Sequence, residues 1–455
     1  MTSAAAEPAQ STFRARFGWA LFDWAFQPFF ALSAFVFAPY FASTLVGNAA
    51  EGQALWGYML GAVGLVVALF SPLLGAMADA VGLRKPWALG FSAITVVGAV
   101  CLWLAAPEAL PILAVLFIFG VANVGAEFAA VFNNAMLPSL ASGRAIGRLS
   151  GIGWGMGYAG GLVALLFVLL VLVLPEAPLF GIDPSQKPAE RFVGPFSAVW
   201  LVVFLIPFVV WTPDGQRSGV SVRGAVASSI SRLAKTIGLA RRLKNVARFL
   251  GARMLYQDGL TALLSFAGIY GAGVFGWETT TLGIFAIILI VVAVPGTVLG
   301  GFLDERFGSK RTIVFAVMGL IAGSLGALSV GPAHILFFVP VDGAESAPLT
   351  SAAELTFLAF GCLIGACVGP AQASSRTLMA HLAPREAVTE FFGLYAFSGK
   401  ATAFVAPLFI ALVTDATGTQ RAGIAVLVVF LVLGLCLLFT VREEQADLTS
   451  GAGTG

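Results

Sequence analysis

The stretch Gly75-Ala-Met-Ala-Asp79-Ala-Val-Gly82-Leu-Arg84-Lys85 returns in the second half of the chain as Gly301-Phe-Leu-Asp-Glu305-Arg-Phe-Gly308-Ser-Lys310-Arg311. In both copies a glycine is followed four residues later by a carboxylate, three later by a second glycine, and then by two adjacent cations. Each copy lies between two long apolar runs, which is typical of a tight turn between membrane spans. The recurrence at matched positions indicates a chain built from two like halves.

The composition places the chain in a membrane. Apolar residues make up 59% of the sequence and charged residues 11%, whereas a soluble protein of this length carries about 25% charged residues. The exterior is therefore expected to face lipid. The net charge of +2 gives no reason to expect a nucleic-acid partner. The four cysteines lie in or beside apolar runs without metal-ligand spacing, so neither a metal nor another cofactor is expected.

Twelve apolar runs are long enough to cross a bilayer, which requires about 20 residues. The pattern predicts an all-α membrane protein of twelve transmembrane helices, arranged as two pseudo-symmetric six-helix bundles. The predicted spans lie near 17–45, 54–78, 87–106, 111–135, 149–174, 196–211, 249–275, 279–303, 312–330, 354–378, 390–413 and 421–441. The predicted domains are a tail (1–16), a first bundle (17–211), a linker (212–248), a second bundle (249–441) and a second tail (442–455).

Lysine and arginine positions predict the orientation. The even-numbered connections, the central linker and both tails hold most of the cations, while the other side holds only Lys187, Arg191 and Arg421. By the positive-inside rule, both termini are expected in the cytoplasm. Apolar residues recur at helical spacing in the linker, between cations, which predicts an amphipathic helix on the inner leaflet. A plain tether and a site for a regulatory partner are both compatible with this pattern.

The duplicated turn motif and the twelve spans together resemble the major facilitator superfamily. A narrower resemblance rests on several further motifs, and it is to the autophagy-related vacuolar effluxer-like permeases and their bacterial relatives. The motifs are Trp19-Ala-Leu-Phe22-Asp23-Trp24-Ala25, Phe132-Asn133-Asn134, Leu255-Tyr256-Gln257-Asp258-Gly259, Gln372-Ala-Ser-Ser375-Arg376 and Glu390-Phe391-Phe392-Gly393. The resemblance implies a solute permease. Fungal members are associated with amino-acid efflux from the vacuole, but the short loops of this chain suggest a bacterial inner membrane.

Ionisable residues inside the predicted spans are the first candidates for function. Each costs about 2.5–3.5 kcal/mol at a helix centre, so each is expected to pair, face the interior or reach water. At 1.5 Å per residue, Arg253 and Arg376 lie within about one turn of the cytoplasmic edge and are expected to snorkel there. Asp258 and Lys400 lie about 14 and 16 Å inside, close to the midplane.

The resemblance places the candidate residues around one volume, because helices 1, 4, 7 and 10 line the cavity of the facilitator fold and helix 11 contributes from behind. The candidates for substrate or proton binding are Asp23, Gln27, Asn123, Glu127, Gln257, Asp258, Gln372 and Lys400. Lys400 is suited to a substrate carboxylate, while Asp258 or Glu127 is suited to an ammonium group or a coupling proton. The alternative is an internal ion pair that only fixes the packing of helices.

The two turns are predicted to act as a gating motif. Its residues are Gly75, Asp79, Gly82, Arg84, Lys85, Gly301, Glu305, Gly308, Lys310 and Arg311. One interpretation is a latch between the halves that opens and closes during transport, and the other is a static turn with a topology signal. The fifth predicted span carries two glycine tracks, Gly147, Gly151, Gly155 and Gly153, Gly157, Gly161, whose spacing predicts close helix packing.

The sequence therefore predicts a secondary transporter, not an enzyme, that moves a small polar solute by alternating access. Amino acids or related zwitterions are the expected solutes, and a proton gradient is the expected driving force where transport is active. The partners are the solute, protons and the bilayer, and no oligomer is required. An exporter of an amphiphile or lipid with the same fold is the alternative. A receptor or an intramembrane enzyme is disfavoured, since the sequence has neither a soluble domain nor paired acids near one face.

Overall fold

The computed structural model of this chain describes residues 12–141, 144–175, 181–215, 238, 243–341, 349–383 and 388–442. Twelve helices in this part are long and apolar enough to cross a membrane, as predicted. The first six are α1 (Phe13–Leu45), α2 (Ala49–Val81), α3 (Lys85–Leu104), α4 (Ile112–Leu140), α5 (Arg144–Phe167, extended by a π-helical segment Val168–Val173) and α6 (Pro188–Trp211). The linker helix predicted within 212–248 falls almost wholly outside the described residues.

The second half repeats this order. Its helices are α7 (Lys244–Phe275), α8 (Thr279–Phe307), α9 (Ser309–Ser329), α10 (Ala352–Leu382), α11 (Val388–Ala401 and Val405–Thr417) and α12 (Gln420–Phe439). A short hairpin, β1 (His334–Ile335) with β2 (Val339–Pro340), follows α9. The observed bounds differ from the predicted ones by several residues, most at α6, which begins eight residues earlier than predicted. The prediction left out its first turns because Glu190 and Arg191 are polar, although the helix buries both.

The helices pack alike in both halves. In the first half α1 lies against α5 and α6, and α3 against α4; in the second α7 lies against α11 and α12, and α9 against α10. The halves meet along α2 with α11 and along α5 with α8, which are equivalent pairs. This pairing fits two related six-helix bundles, the predicted arrangement. We call the membrane side where α1 begins and α12 ends the terminal face, and the other side the opposite face.

Hydrogen bonds join the halves at the opposite face. The Gln53 side chain donates to Thr414 Oγ1 (2.9 Å) and to the Gln420 carbonyl (3.1 Å). Gln420 in turn donates to the Ala49 carbonyl (2.9 Å), and the Tyr58 hydroxyl donates to Asp415 (3.1 Å). Gln53, Thr414, Asp415 and Gln420 lie in the helix turns nearest the opposite face, so these bonds tie the halves together on that side.

Candidate functional site

An ion pair joins the halves at the centre of the molecule. Lys400 of α11 pairs with Glu127 of α4. Glu127 lies about 20 Å from either end of its helix at 1.5 Å per residue, so the pair is close to mid-membrane. The side chains remain 35% and 25% exposed, respectively. Two of the eight predicted site residues therefore meet across the interface of the halves and stay accessible.

A break in α11 follows Lys400 directly. The helix is interrupted at residues 402–404, where hydrogen bonds span three residues, from Ala403 N–H to the Lys400 carbonyl and from Val405 N–H to the Thr402 carbonyl. Pro407 explains the break, because proline has no N–H and its ring crowds the carbonyl four residues earlier, that of Ala403. Lys400 is thus presented at the end of a helical segment.

The buried charges of α7 point to α11 of the same half. Arg253 donates to the Tyr395 carbonyl (2.8 Å) and to Ser398 Oγ (2.9 Å), and its guanidinium lies 3.6 Å from the centre of the Tyr395 ring. It is only 9% exposed, so the prediction that it snorkels to the edge is wrong. Its planar group finds stacking and acceptors on α11, which an edge position would not supply.

Asp258 lies one turn further along α7 and is 3% exposed. Its carboxylate approaches the Thr402 hydroxyl at the break in α11, and its charge interacts with that of Arg253. The structure therefore places Asp258 beside the buried α7–α11 contact, whereas Lys400 is turned toward α4. Asp258 and Lys400, the two candidates predicted to lie closest to the midplane, therefore belong to different contacts.

A second group of charged and aromatic residues forms where α1, α5 and α10 converge. Arg376 of α10 lies 5.9 Å from the centre of the Trp154 ring on α5, and Trp154 lies 6.0 Å from the Tyr158 ring. The charges of Arg376 and Asp23 interact. Arg376 thus lies against a residue of the other half, about ten residues inside α5, and the expected position at the membrane edge is wrong.

One of the two predicted glycine tracks accounts for the packing of α1. A Cβ at Gly153 would lie 2.7 Å from the Asp23 carboxylate, and one at Gly161 would lie 3.0 Å from Gln27 Cγ. This track therefore lets α1 carry two polar side chains against α5. The other track is open, since a Cβ at Gly151 or Gly155 would meet no atom of the described residues within 4 Å. Close packing was predicted for both, and the structure shows it for one.

A polar stripe on α7 extends beyond the predicted Gln257. Gln257 Nε2 donates to Thr261 Oγ1 (3.1 Å), and Ser265 Oγ donates to the Thr261 carbonyl (2.9 Å). The three residues are spaced by four, so they share one face of the helix. Sequence reasoning missed Thr261 and Ser265, although that spacing was a signal that a polar face continues into the membrane.

The remaining candidates lie on α4 and α10. Asn123 is one turn from Glu127 and 7% exposed, and its Oδ1 has no hydrogen-bond partner within the described part of the chain. Gln372 is half-buried, one turn from Arg376. A buried acceptor without a partner next to an accessible ion pair is the kind of group that a polar ligand satisfies.

The turn between α2 and α3 is fastened to the end of α6. Lys85 Nζ donates to the Val209 carbonyl (2.8 Å), and the Asp214 carboxylate accepts from the backbone N–H groups of Arg84 (2.9 Å) and Lys85 (3.2 Å). Gly82 has φ of 75°, which favours glycine. These contacts stay within the first half. Gly75 and Asp79 belong to α2, but their side chains lie outside the described part.

The turn between α8 and α9 is fastened in a similar way to the end of α12. Lys310 Nζ donates to the Phe439 carbonyl (3.1 Å), and Gly308 has φ of 86°. The carboxylate that acts here is Asp304, which accepts from Ser309 Oγ (2.6 Å), while Glu305 is exposed. Asp304, one residue before Glu305, is thus the side chain that faces the start of α9. The gating role of Glu305 stays a prediction.

The two like six-helix bundles, joined at their centre by the ion pair, have the fold of the major facilitator transporters. Among solved structures, that of a D-xylose-proton symporter aligns over 95% of this chain and 99% of its own with a TM-score of 0.69 and 13% identity. The structure of a mutant of the nucleoside transporter NupG aligns over 94% of this chain and 98% of its own, with a TM-score of 0.64 and 12% identity. At these identities the likeness concerns the fold alone.

The chain belongs to the family described as vacuole effluxer Atg22 like, whose model matches residues 44–450. It is 26% identical over 433 residues to the uncharacterized MFS-type transporter YxiO of Bacillus subtilis (strain 168), covering 94% of this chain and 95% of that protein. It is 25% identical over 314 residues to autophagy-related protein 22-1 of Penicillium rubens, covering 66% of this chain. The chain matches only 50% of the length of that relative. The resemblance stated from the sequence is confirmed.

Proposed function

We propose that this protein carries a small zwitterionic solute, such as an amino acid or a related compound, across the plasma membrane of a bacterium by alternating access. The observation that carries the proposal is the Lys400–Glu127 pair. One charge comes from each half, the pair lies near mid-membrane, and both side chains remain partly accessible. In a solute with both a carboxylate and an ammonium group, the carboxylate would pair with Lys400 and the ammonium group would pair with Glu127. Each residue would thus exchange its present partner for a solute group of the same charge.

The energetics favour a solute that replaces both partners at once. Removing one member of a buried ion pair leaves an uncompensated charge and costs about 3–5 kcal/mol, a figure that partial exposure of this pair reduces. A zwitterion inserted between Lys400 and Glu127 leaves neither charge alone, whereas a singly charged solute compensates only one. The Oδ1 atom of Asn123, one turn from Glu127 and without a partner among the described residues, supplies an acceptor for the ammonium group.

The other candidate residues are proposed as the walls of the same site. Asp23, Gln27 and Gln372 are half-buried on α1 and α10, and Gln257 leads the polar stripe of α7. Asp258 is proposed to handle a coupling proton, because it is buried and lies beside the break in α11 that also presents Lys400. A change in its protonation would act directly on the segment that carries the solute-binding lysine.

The orientation follows from the cations. If the cation-rich terminal face is cytoplasmic, the hydrogen bonds at the opposite face close the outer side, and the structure represents an inward-facing state. Binding and closure at the terminal face would then have to precede opening of the outer side. The contacts of Gln53, Gln420 and Tyr58 would be the ones exchanged during that step.

The test is transport in sealed proteoliposomes that hold purified protein. Amino acids and matched analogues that lack either the carboxylate or the ammonium group are compared, with and without a pH gradient. We expect a zwitterion to be transported, Lys400→Ala and Glu127→Gln each to reduce the rate about tenfold or more, and Lys187→Ala to leave it unchanged. Lys187 is a suitable control because it also pairs with a glutamate, Glu190, at the opposite face (3.9 Å). Transport of singly charged analogues at the same rate would exclude the proposed substrate class.

A further inference from the structure

A cavity of about 340 Å³ lies at the terminal face of the second half, between the first turns of α9 and the end of α12. Lys310, Arg311, Val314, Phe315 and Phe439 line it. It is at the membrane surface, whereas the central ion pair is near mid-membrane. The cavity is therefore a separate feature that the transport site does not use.

The polar side of this cavity is cationic. Lys310, which lines the cavity, donates to the Phe439 carbonyl (3.1 Å). Arg248 lies outside the lining and donates to the neighbouring Thr440 carbonyl (3.3 Å). Arg311 is exposed beside them. An ammonium group has three donors and a guanidinium five, so Lys310 keeps donors for an anion after bonding the helix end, and Arg311 adds its own donors. A phosphate at this position would receive charge-assisted hydrogen bonds.

The other side of the cavity is apolar. Phe315 is 54% exposed and Phe439 is 56% exposed, although both are large aromatic side chains. Val314 and Phe315 follow Arg311 along α9, so the wall descends from the cations toward the membrane interior. A surface that is cationic at the membrane edge and apolar below it has the same polarity profile as a phospholipid.

We propose that this cavity binds an anionic phospholipid of the leaflet at the terminal face. The headgroup phosphate lies between Lys310 and Arg311, and an acyl chain follows Phe315 and Phe439. Basic pockets between transmembrane helices at this level are a known means of recognising acidic headgroups. A free phosphate would use the cations but would leave the apolar wall unoccupied, so the lipid is the occupant that matches the whole cavity.

The equivalent turn of the first half already holds an anion, since Asp214 binds the N–H groups of Arg84 and Lys85. That anion belongs to the chain and follows α6 closely. After α12 the sequence continues with Glu443 and Glu444, which lie outside the described residues and are the competing occupants. The lipid is favoured because a carboxylate requires no aromatic wall, and this cavity has two exposed rings.

The experiment is native mass spectrometry of the full-length protein extracted from nanodiscs that hold equal amounts of phosphatidylglycerol and phosphatidylcholine. We expect the wild type to retain phosphatidylglycerol at least about fivefold over phosphatidylcholine, and Lys310→Gln/Arg311→Gln to lose this preference. Arg311→Lys keeps the charge and should keep the preference. Arg14→Gln removes an exposed cation from the same face and serves as the matched control.

Several outcomes would overturn the proposal. The double variant retaining the wild-type preference would do so, as would equal retention of both lipids by the wild type. Inorganic phosphate that raises the thermal midpoint as much as phosphatidylglycerol would indicate a simple anion site. A lipid preference that emerges only in Glu443→Gln/Glu444→Gln would show that the tail fills the cavity. If the double variant fails to fold, Arg311→Gln alone, which leaves the Lys310 bond intact, answers the same question.

Discussion

The Lys400 ammonium and the Glu127 carboxylate form an ion pair that joins α11 to α4 across the two halves of the protein. Any movement that separates the halves at their centre must break this pair or insert a group between its members. In the proposed function, the pair therefore links solute binding to the transport movement. The proposed substrate class depends on this link.

Exchanging the two charges tests whether Lys400 and Glu127 act together. We expect Glu127→Lys/Lys400→Glu to recover part of the transport that Glu127→Lys and Lys400→Glu each lose, because the exchange restores attraction at the same position. The measurement is initial uptake in proteoliposomes for all four proteins, read as a double-mutant cycle. If the exchanged protein transports no better than the poorer single variant, the partners act independently.

Gln53 is expected to hold the two halves together at the opposite face. We expect Gln53→Ala to shift the population toward the state open on that side, because it removes two hydrogen bonds between the halves. At about 0.6 kcal/mol per bond in membranes, the shift is about 1 kcal/mol, or about fivefold in the population ratio. Distances between spin labels at positions 48 and 419 in a cysteine-free background would report it.

Ser43→Ala is the matched control for Gln53→Ala. The Ser43 hydroxyl lies near the same face but donates to the Pro39 carbonyl of its own helix (2.8 Å), so its removal should leave the distance distribution unchanged. An unchanged distribution in Gln53→Ala as well would mean that these bonds do not hold the closed state.

Arg253 is expected to stabilise the second half. Arg253→Ala removes two hydrogen bonds and the stacking on Tyr395, and it leaves the buried Tyr395 carbonyl and Ser398 hydroxyl without this donor. We expect a loss of about 2–4 kcal/mol in the free energy of unfolding. Thermal unfolding in detergent measures the loss, with exposed Arg14→Ala as the control. A midpoint equal to that of the control would assign Arg253 a role outside stability.

The spans, the duplication and the family were predictable, because they depend on local composition and on motifs that can be read along the chain. Lys400 and Glu127 were also identified, since charges inside apolar runs are conspicuous. Their pairing with each other was not predicted, because it depends on how α4 and α11 are rotated about their axes when the halves meet. Judged only by their depth along the predicted spans, Asp258 and Lys400 were equivalent candidates. In the structure, however, the Asp258 side chain lies toward α11 and away from α4.

Arg253 and Arg376 show a different limit. Depth along the helix predicted that both would reach the membrane edge, since long cationic side chains often do so. The structure instead offers Arg253 the ring and carbonyl of Tyr395, and it offers Arg376 the ring of Trp154. These partners lie on other helices, more than a hundred residues away in the sequence. The residues next to Arg253 and Arg376 along the chain give no indication of them.

The two duplicated turns differ in which carboxylate holds the following helix, and this difference is testable. Asp304→Ala removes the acceptor of Ser309 Oγ at the start of α9, so we expect a loss of about 1 kcal/mol and faster amide hydrogen exchange in that first turn. Asp214→Ala removes the acceptor of two backbone N–H groups and should have the equivalent effect at the start of α3, about 1–2 kcal/mol.

Glu305→Ala is the decisive comparison, because Glu305 is adjacent to Asp304 in sequence and matches Asp79 in the duplicated motif. Its side chain is exposed, so its removal should change neither the unfolding midpoint nor the exchange rate at the start of α9. Faster exchange in Glu305→Ala and not in Asp304→Ala would show that Glu305, the residue aligned with Asp79 in the motif, is the carboxylate that holds the start of α9. It would also mean that the second turn holds its helix in the manner that the sequence repeat implies.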